Sequence, residues 1–87
     1  MNEFNGWLDT FIDEKGVDKD HLFEIEQEGE VHFLEMGVLL DFIKKCPVNI
    51  RESIKTTIVK IDFKNGDIMH FFDYLAKGYI LQYNSQR

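Results

Sequence analysis

Cys46 is the one thiol in this chain, and Lys44 and Lys45 stand directly before it. Ammonium groups beside a thiol lower its pKa and favour the nucleophilic thiolate. Two features oppose that chemistry here. Cys46 falls at the end of a predicted helix, where the negative pole of the dipole disfavours an anion, and no His lies near it in sequence to serve as a base. The reading is a structural thiol. His21, His32 and His70 are too widely separated to suggest a ligand set, and a single Cys cannot build a thiolate metal centre. Asp67, His70 and Asp73 recur every third residue, which drifts by about 60° per step around a helix and holds no common face. Neither serine, Ser53 or Ser85, sits in a nucleophile elbow. No glycine-rich loop precedes a helix in the form that cradles phosphate. The sequence therefore predicts no catalytic residue, no metal site and no cofactor.

The residue pattern that suggests a function is a series of carboxylates: Asp13, Glu14, Asp18, Asp20, Glu24, Glu26, Glu28 and Glu30. Carboxylates spaced along a strand and around a turn imitate a phosphate track, and they steer a basic protein partner. The same residues also serve to keep an aromatic-rich domain dispersed in water. The charge is unevenly divided. Residues 1–41 carry twelve Asp or Glu against two Lys, −10 in all, and residues 42–87 carry four against eight Lys or Arg, +4 in all. Folding either interleaves the halves and neutralises them or leaves an acidic face on display. Two kinds of partner fit: a basic protein, or a second copy whose basic half meets the acidic half of its mate. Direct nucleic-acid binding fits less well. Arg51 with Lys55 and Lys60 with Lys64 fall on two different helix faces. Tyr74, Tyr79 and Tyr83 offer stacking surfaces, but a pI near 4.9 is the reverse of a nucleic-acid module's basic footprint.

These residues must be positioned by a small scaffold. Eighty-seven residues suffice for one domain spanning 1–87, and eight Phe, three Tyr and one Trp can give it a core without crosslinks. A lone Cys permits no intramolecular disulfide, which suits the cytoplasm. The opening Met1-Asn2-Glu3-Phe4 is not that of a signal peptide, and the apolar run Gly37-Val38-Leu39-Leu40 is far too short to cross a membrane.

Phe4, Trp7, Leu8, Phe11 and Ile12 have helical spacing, predicting an amphipathic helix over about 3–15 with Asn2 as its N-cap and Gly16 just past its end. Leu22–Glu26 and Glu30–Phe33 alternate around Gly29 and predict a hairpin. A two-residue loop, Glu28-Gly29, pairs Ile25 with His32 and sets Phe23 and Phe33 on opposite faces. A three-residue loop, Gln27-Glu28-Gly29, pairs Ile25 with Val31 and Phe23 with Phe33, keeping one face apolar. The second is the predicted register. It lines Glu24, Glu26 and Glu30 along one exposed face, with Glu24 opposite His32 and Glu26 opposite Glu30.

After Gly37, Val38–Lys45 reads as a short helix burying Val38, Leu39, Phe42 and Ile43, closed by Pro47. Asn49 with Glu52 has the form of a capping box, and Ile50, Ile54, Ile58 and Ile61 continue a helix to about residue 62. Thr57, Val59, Ile61 and Phe63 also alternate before Asn65-Gly66, so a third strand over 57–63 is the alternative. A last helix, capped by Asp67, carries Ile68, Phe71, Phe72, Leu75 and Tyr79 in one stripe and ends at Gly78 or near Tyr83. The predicted class is α+β: about four helices packed on a β-hairpin.

Two stretches carry a resemblance. One runs from Ile54-Lys55 through Ile58-Val59-Lys60-Ile61-Asp62-Phe63-Lys64-Asn65-Gly66-Asp67 to His70-Phe71-Phe72 and Leu75-Ala76. The other is Phe4-Asn5-Gly6-Trp7-Leu8-Asp9-Thr10-Phe11-Ile12. Together they resemble short uncharacterised proteins carried by phages and integrative elements of Gram-positive bacteria. The resemblance implies no reaction and no defined site. It implies a setting in which small acidic proteins act as inhibitors of host defence enzymes that handle nucleic acid, and hence a partner-binding role.

Overall fold

The computed structural model describes residues 3–61 and 67–85, with side chains described as far as Gln82. In chain order the elements are α1 (Glu3–Lys15), β1 (Leu22–Gln27), β2 (Glu30–Glu35), α2 (Met36–Lys44), α3 (Val48–Ile61) and α4 (Asp67–Ser85). The class is α+β, a two-stranded antiparallel hairpin packed with four helices.

Helix α1 follows its periodicity, burying Phe4, Leu8, Phe11 and Ile12. Gly16, at φ +65°, ends it. Its N–H donates to the Asp13 carbonyl at 3.3 Å and the Val17 N–H to the Ile12 carbonyl at 3.1 Å, the paired bonds of a Schellman motif. Val17 then packs against the core. The Asn2 cap lies outside the described residues.

The hairpin departs from the predicted register. Its loop is the two-residue Glu28-Gly29, with φ values of +53° and +79°. Two left-handed residues make a type I′ turn, whose twist matches that of the flanking strands. The pairs are Leu22–Glu35, Phe23–Leu34, Glu24–Phe33, Ile25–His32, Glu26–Val31 and Gln27–Glu30. Three forces favour this register. It avoids the direct Glu26–Glu30 opposition that the longer loop imposes. It turns Leu34 inward together with Phe23 and Ile25. It also sets the parity of the next residue inward, so that Met36, fully buried, continues the inner row straight into α2. The consequence is that Phe33 and Val31, predicted to be inner, are exposed.

Helix α2 accordingly begins before Gly37. The Met36 N–H donates to the His21 carbonyl at 2.8 Å and the Gly37 N–H to the Lys19 carbonyl at 2.9 Å. These bonds satisfy two of the first-turn donors that a side-chain cap would otherwise take. Its buried face is Met36, Leu39, Leu40 and Ile43; Val38 points to solvent.

Residues 57–61 are helical, which rules out a third strand through them, while Asp62–Gly66, including the Asn65-Gly66 signal, lie outside the described residues. The β-branched Thr56 and Thr57 are accommodated by donating their hydroxyls to the carbonyls of Glu52 and Ser53, each at 2.9 Å. Helix α3 starts two residues earlier than a capping box at Asn49 requires. The Pro47 carbonyl receives the N–H groups of Ile50 and Arg51, so Asn49 lies within the first turn.

Helix α4 runs through Gly78 to Ser85. Its fully inward line is Phe72, Ala76 and Ile80, with Ile68, Phe71, Leu75 and Tyr79 half-buried beside it. Phe72 is the largest side chain with no exposed surface, and Leu8, Met36, Leu39, Ile43 and Ile58 close around the same core. Burial of each such side chain is worth about 1.5–3 kcal/mol.

Candidate functional site

All eight carboxylate residues of the acidic series are exposed: Asp13, Glu14, Asp18, Asp20, Glu24, Glu26, Glu28 and Glu30. The fold does not gather them on one surface. Asp13 and Glu14 lie on the last turn of α1, and Asp13 stands 4.0 Å from the Lys19 ammonium. Asp18 accepts the Asp20 backbone N–H at 2.9 Å, a local turn within the loop that leads to β1. Glu28 occupies the left-handed turn. Glu30, expected beside Glu24 and Glu26, lies instead on the opposite side of the hairpin, its carboxylate 3.7 Å from the half-buried His32 ring.

Glu24 and Glu26 do share the outer face, and the register supplies neighbours that sequence alone assigned elsewhere. The three outer pairs are Leu22–Glu35, Glu24–Phe33 and Glu26–Val31. Each sets one carboxylate beside one apolar side chain, so no two carboxylates are directly opposite, although Glu24 and Glu26 are neighbours along β1 and Phe33 and Val31 along β2. Leu22, Val31 and Phe33 are 51%, 49% and 60% exposed, values high enough to make them anchors rather than core. Residues 21–36 contain five Glu and no Lys or Arg, so the hairpin itself brings only negative charge to this face. Glu35, Val31 and Phe33 reach this face only with the shorter loop, whose Glu-Gly dipeptide permits a type I′ turn but does not by itself select it.

Folding displays the division of charge more than it cancels it. Among the described residues the ion pair that joins the halves is Lys44–Asp9, 2.6 Å between Nζ and Oδ1. Lys77 pairs with Asp73 inside the second half at 3.0 Å. Arg51 and Lys55, which share a face of α3 as expected, reach no carboxylate among the described residues; they lie over the rings of Phe4 and Trp7 on α1, at 5.9 and 5.3 Å from the centroids. Cations over aromatic faces hold α1 against α3 by quadrupole attraction. The basic half thus spends part of its charge on aromatics and leaves the hairpin acidic.

A second surface lies where β1, the end of α2, the start of α3 and α4 meet. It is a groove of about 900 Å³, with Ile25, Phe42, Ile54 and Leu75 among its walls, Ile50, Tyr74 and Leu81 exposed along it, and Lys45 and Lys77 also lining it. Cys46 lines it too. Burial pushes this thiol above its ordinary range, outweighing the opposing pull of the Arg51 guanidinium, and Sγ lies 3.5 Å from the Phe42 carbonyl oxygen as a weak donor. That is the direction of a structural thiol. Among the described residues no three His, Cys, Asp or Glu converge as a metal-ligand set, and no helix is long and apolar enough to cross a membrane. No protein-family profile, curated protein or solved structure matches this chain.

Proposed function

We propose that this chain is a non-enzymatic protein-binding domain whose contact surface is the outer face of the hairpin. The observation that carries the reading is the coincidence of three exposed apolar side chains with three carboxylates, and no Lys or Arg, on one small sheet face. Leu22, Val31 and Phe33 supply the area that binding energy comes from, and Glu24, Glu26 and Glu35 select a basic partner and speed its approach. A groove that ordinarily holds a nucleic-acid backbone has that basic character. The resemblance to phage and integrative-element proteins supports the same class of partner: a cytoplasmic host enzyme that handles nucleic acid, inhibited by occupation of its basic groove.

The test is quantitative capture of basic proteins from host lysate by the wild-type chain and by two variants. Reversal of Glu24, Glu26 and Glu35 to Lys is expected to abolish capture of the specific partner. Substitution of Ile50 and Leu81 by Asp in the groove should leave it intact. Capture that survives the hairpin reversal and fails with the groove variant overturns the proposal.

The groove favours a second reading, a structural homodimer. Exposed Ile50, Tyr74 and Leu81 would pair across a two-fold axis, continued by Val48, also exposed on α3. Light scattering at low and high salt separates the two: a monomer throughout removes the dimer, and a dimer lost on substituting Leu81 by Asp supports it.

A further inference from the structure

The edge of β2 adds a feature that side-chain exposure alone does not show. In a two-residue hairpin the pair flanking the loop exchanges ladder hydrogen bonds, and bonded and non-bonded pairs then alternate along the strands. Gln27–Glu30 is the flanking pair, so Ile25–His32 and Phe23–Leu34 are bonded. The alternation runs on to His21 and Met36, whose N–H···O bond is 2.8 Å. The non-bonded pairs are therefore Leu22–Glu35, Glu24–Phe33 and Glu26–Val31. Their N–H and C=O groups point away from the ladder.

On β1 those groups lie on the strand that packs against α4 and lines the groove. On β2 they belong to Val31, Phe33 and Glu35, all exposed. Among the described residues no backbone hydrogen bond outside the ladder reaches Val31, Phe33 or the Glu35 N–H; the Glu35 carbonyl, at the N-cap of α2, is taken by the first turn of that helix. An edge of this kind is a template for another strand.

We infer that β2 accepts an extended basic segment of a protein as a third, antiparallel strand, with main-chain bonds to Val31, Phe33 and Glu35. The inference rests on the protein-binding reading and specifies its mode. Charge decides the occupant. A second copy pairing through its own β2 would bring the five Glu of its hairpin, and no Lys or Arg, onto one sheet, so the edge rejects its own kind. A strand with Lys or Arg at alternate positions sets those cations on the outer face, beside Phe33 and within the field of Glu24, Glu26 and Glu35. Its intervening side chains fall on the inner side, next to Leu34, where apolar residues fit. The geometry thus defines a pattern, basic and apolar in alternation.

The probe is a synthetic peptide alternating lysine and valine and long enough to span β2, titrated into the full chain and followed by amide NMR and hydrogen exchange. Binding is expected to shift residues of the hairpin and to slow exchange at the Val31, Phe33 and Glu35 amides. In an antiparallel pairing, residues opposite Val31 and Phe33 share their face and turn their own N–H groups toward β2. The lysine amides of the peptide therefore face β2, and the valine amides face away. A peptide N-methylated at its lysines should bind at least about tenfold more weakly, while one N-methylated at its valines should keep its affinity.

Equal binding by the two methylated peptides, with the three amides unprotected, overturns strand addition yet leaves the face as a binding surface. No response in residues 21–36 to any peptide also overturns it, and the charge-reversal capture then judges the protein-binding reading separately. In the chain itself, Val31→Pro removes one outward donor and Val31→Ala removes the same side chain while keeping that donor. The proline variant should bind the peptide more weakly than the alanine variant.

Discussion

The outer hairpin face and the helical groove both leave large apolar side chains in water, the first among carboxylates alone and the second among charges of both signs. Leu22, Val31 and Phe33 each stand across from a carboxylate, Glu35, Glu26 and Glu24 respectively, on a sheet without Lys or Arg. Ile50, Tyr74 and Leu81 line a groove that also carries Lys45, Lys77 and Glu26. The hairpin face has a free strand edge beside it; the groove is a concave surface formed where β1, α2, α3 and α4 meet. The difference teaches that exposed apolar area is not by itself a functional signal. What separates the two is the presence of directional groups: the hairpin offers charge and unpaired main chain, and the groove offers shape.

Ile25 joins the two regions, because it is buried on the inner row of β1 and also lines the groove. Ile25→Ala should cost about 2–5 kcal/mol, measured by urea denaturation. A much smaller loss would show that the hairpin and the groove do not share a wall. For partner binding the comparison predicts asymmetry. Phe33→Ala should weaken it by about 2 kcal/mol, roughly thirtyfold in Kd by calorimetry, as a central aromatic anchor does. Leu81→Ala should leave that Kd unchanged, and the reverse result would move the binding surface to the groove.

The turn sharpens the comparison at lower amplitude, since the outer face exists only in the two-residue register. Glu28 pays for a left-handed conformation that Asn adopts more readily, so Glu28→Asn should raise stability by about 0.5–1 kcal/mol. Gly29→Ala, at φ +79°, should lower it by about 1 kcal/mol. If both changes are neutral by thermal melting, the type I′ turn is not what holds the register.

The smallest effect concerns Cys46 on the groove side. Its pKa is raised on folding from an ordinary value near 9.0, chiefly by burial. The folded chain therefore holds this proton more tightly than the unfolded one. The resulting contribution to stability is complete below the unfolded pKa and is lost as pH rises through the folded pKa. Alkylation by iodoacetamide should be slow near neutral pH, quicken only in alkali, and become faster when the chain is unfolded. Rapid labelling of the native protein at pH 7 would contradict that.

Much of the fold was readable because periodicity reports burial directly. The buried row of α1 and its end at Gly16 follow from spacing and from the freedom of glycine, and helix rather than strand at 57–61 follows from the run that begins at Ile50. The acidic series was readable as a list of exposed residues but not as a surface, because surface depends on register. One residue of loop length moved Phe33 from the inner row to the outer and Glu30 from the outer to the inner. That choice could not be made from the hairpin alone, where an apolar face favours the longer loop.

By itself, then, the sequence determined that this chain is α+β, that its hairpin carries five carboxylates and no cation, and that its thiol stands alone. These depend on residue type and local spacing. Tertiary structure decided which side of the hairpin each carboxylate occupies. Met36 must enter the core as α2 begins, with its N–H on the His21 carbonyl, and the period of two in a strand then carries that parity back through Leu34 to the turn. The outer face is the result of a helix packing correctly at the far end of β2.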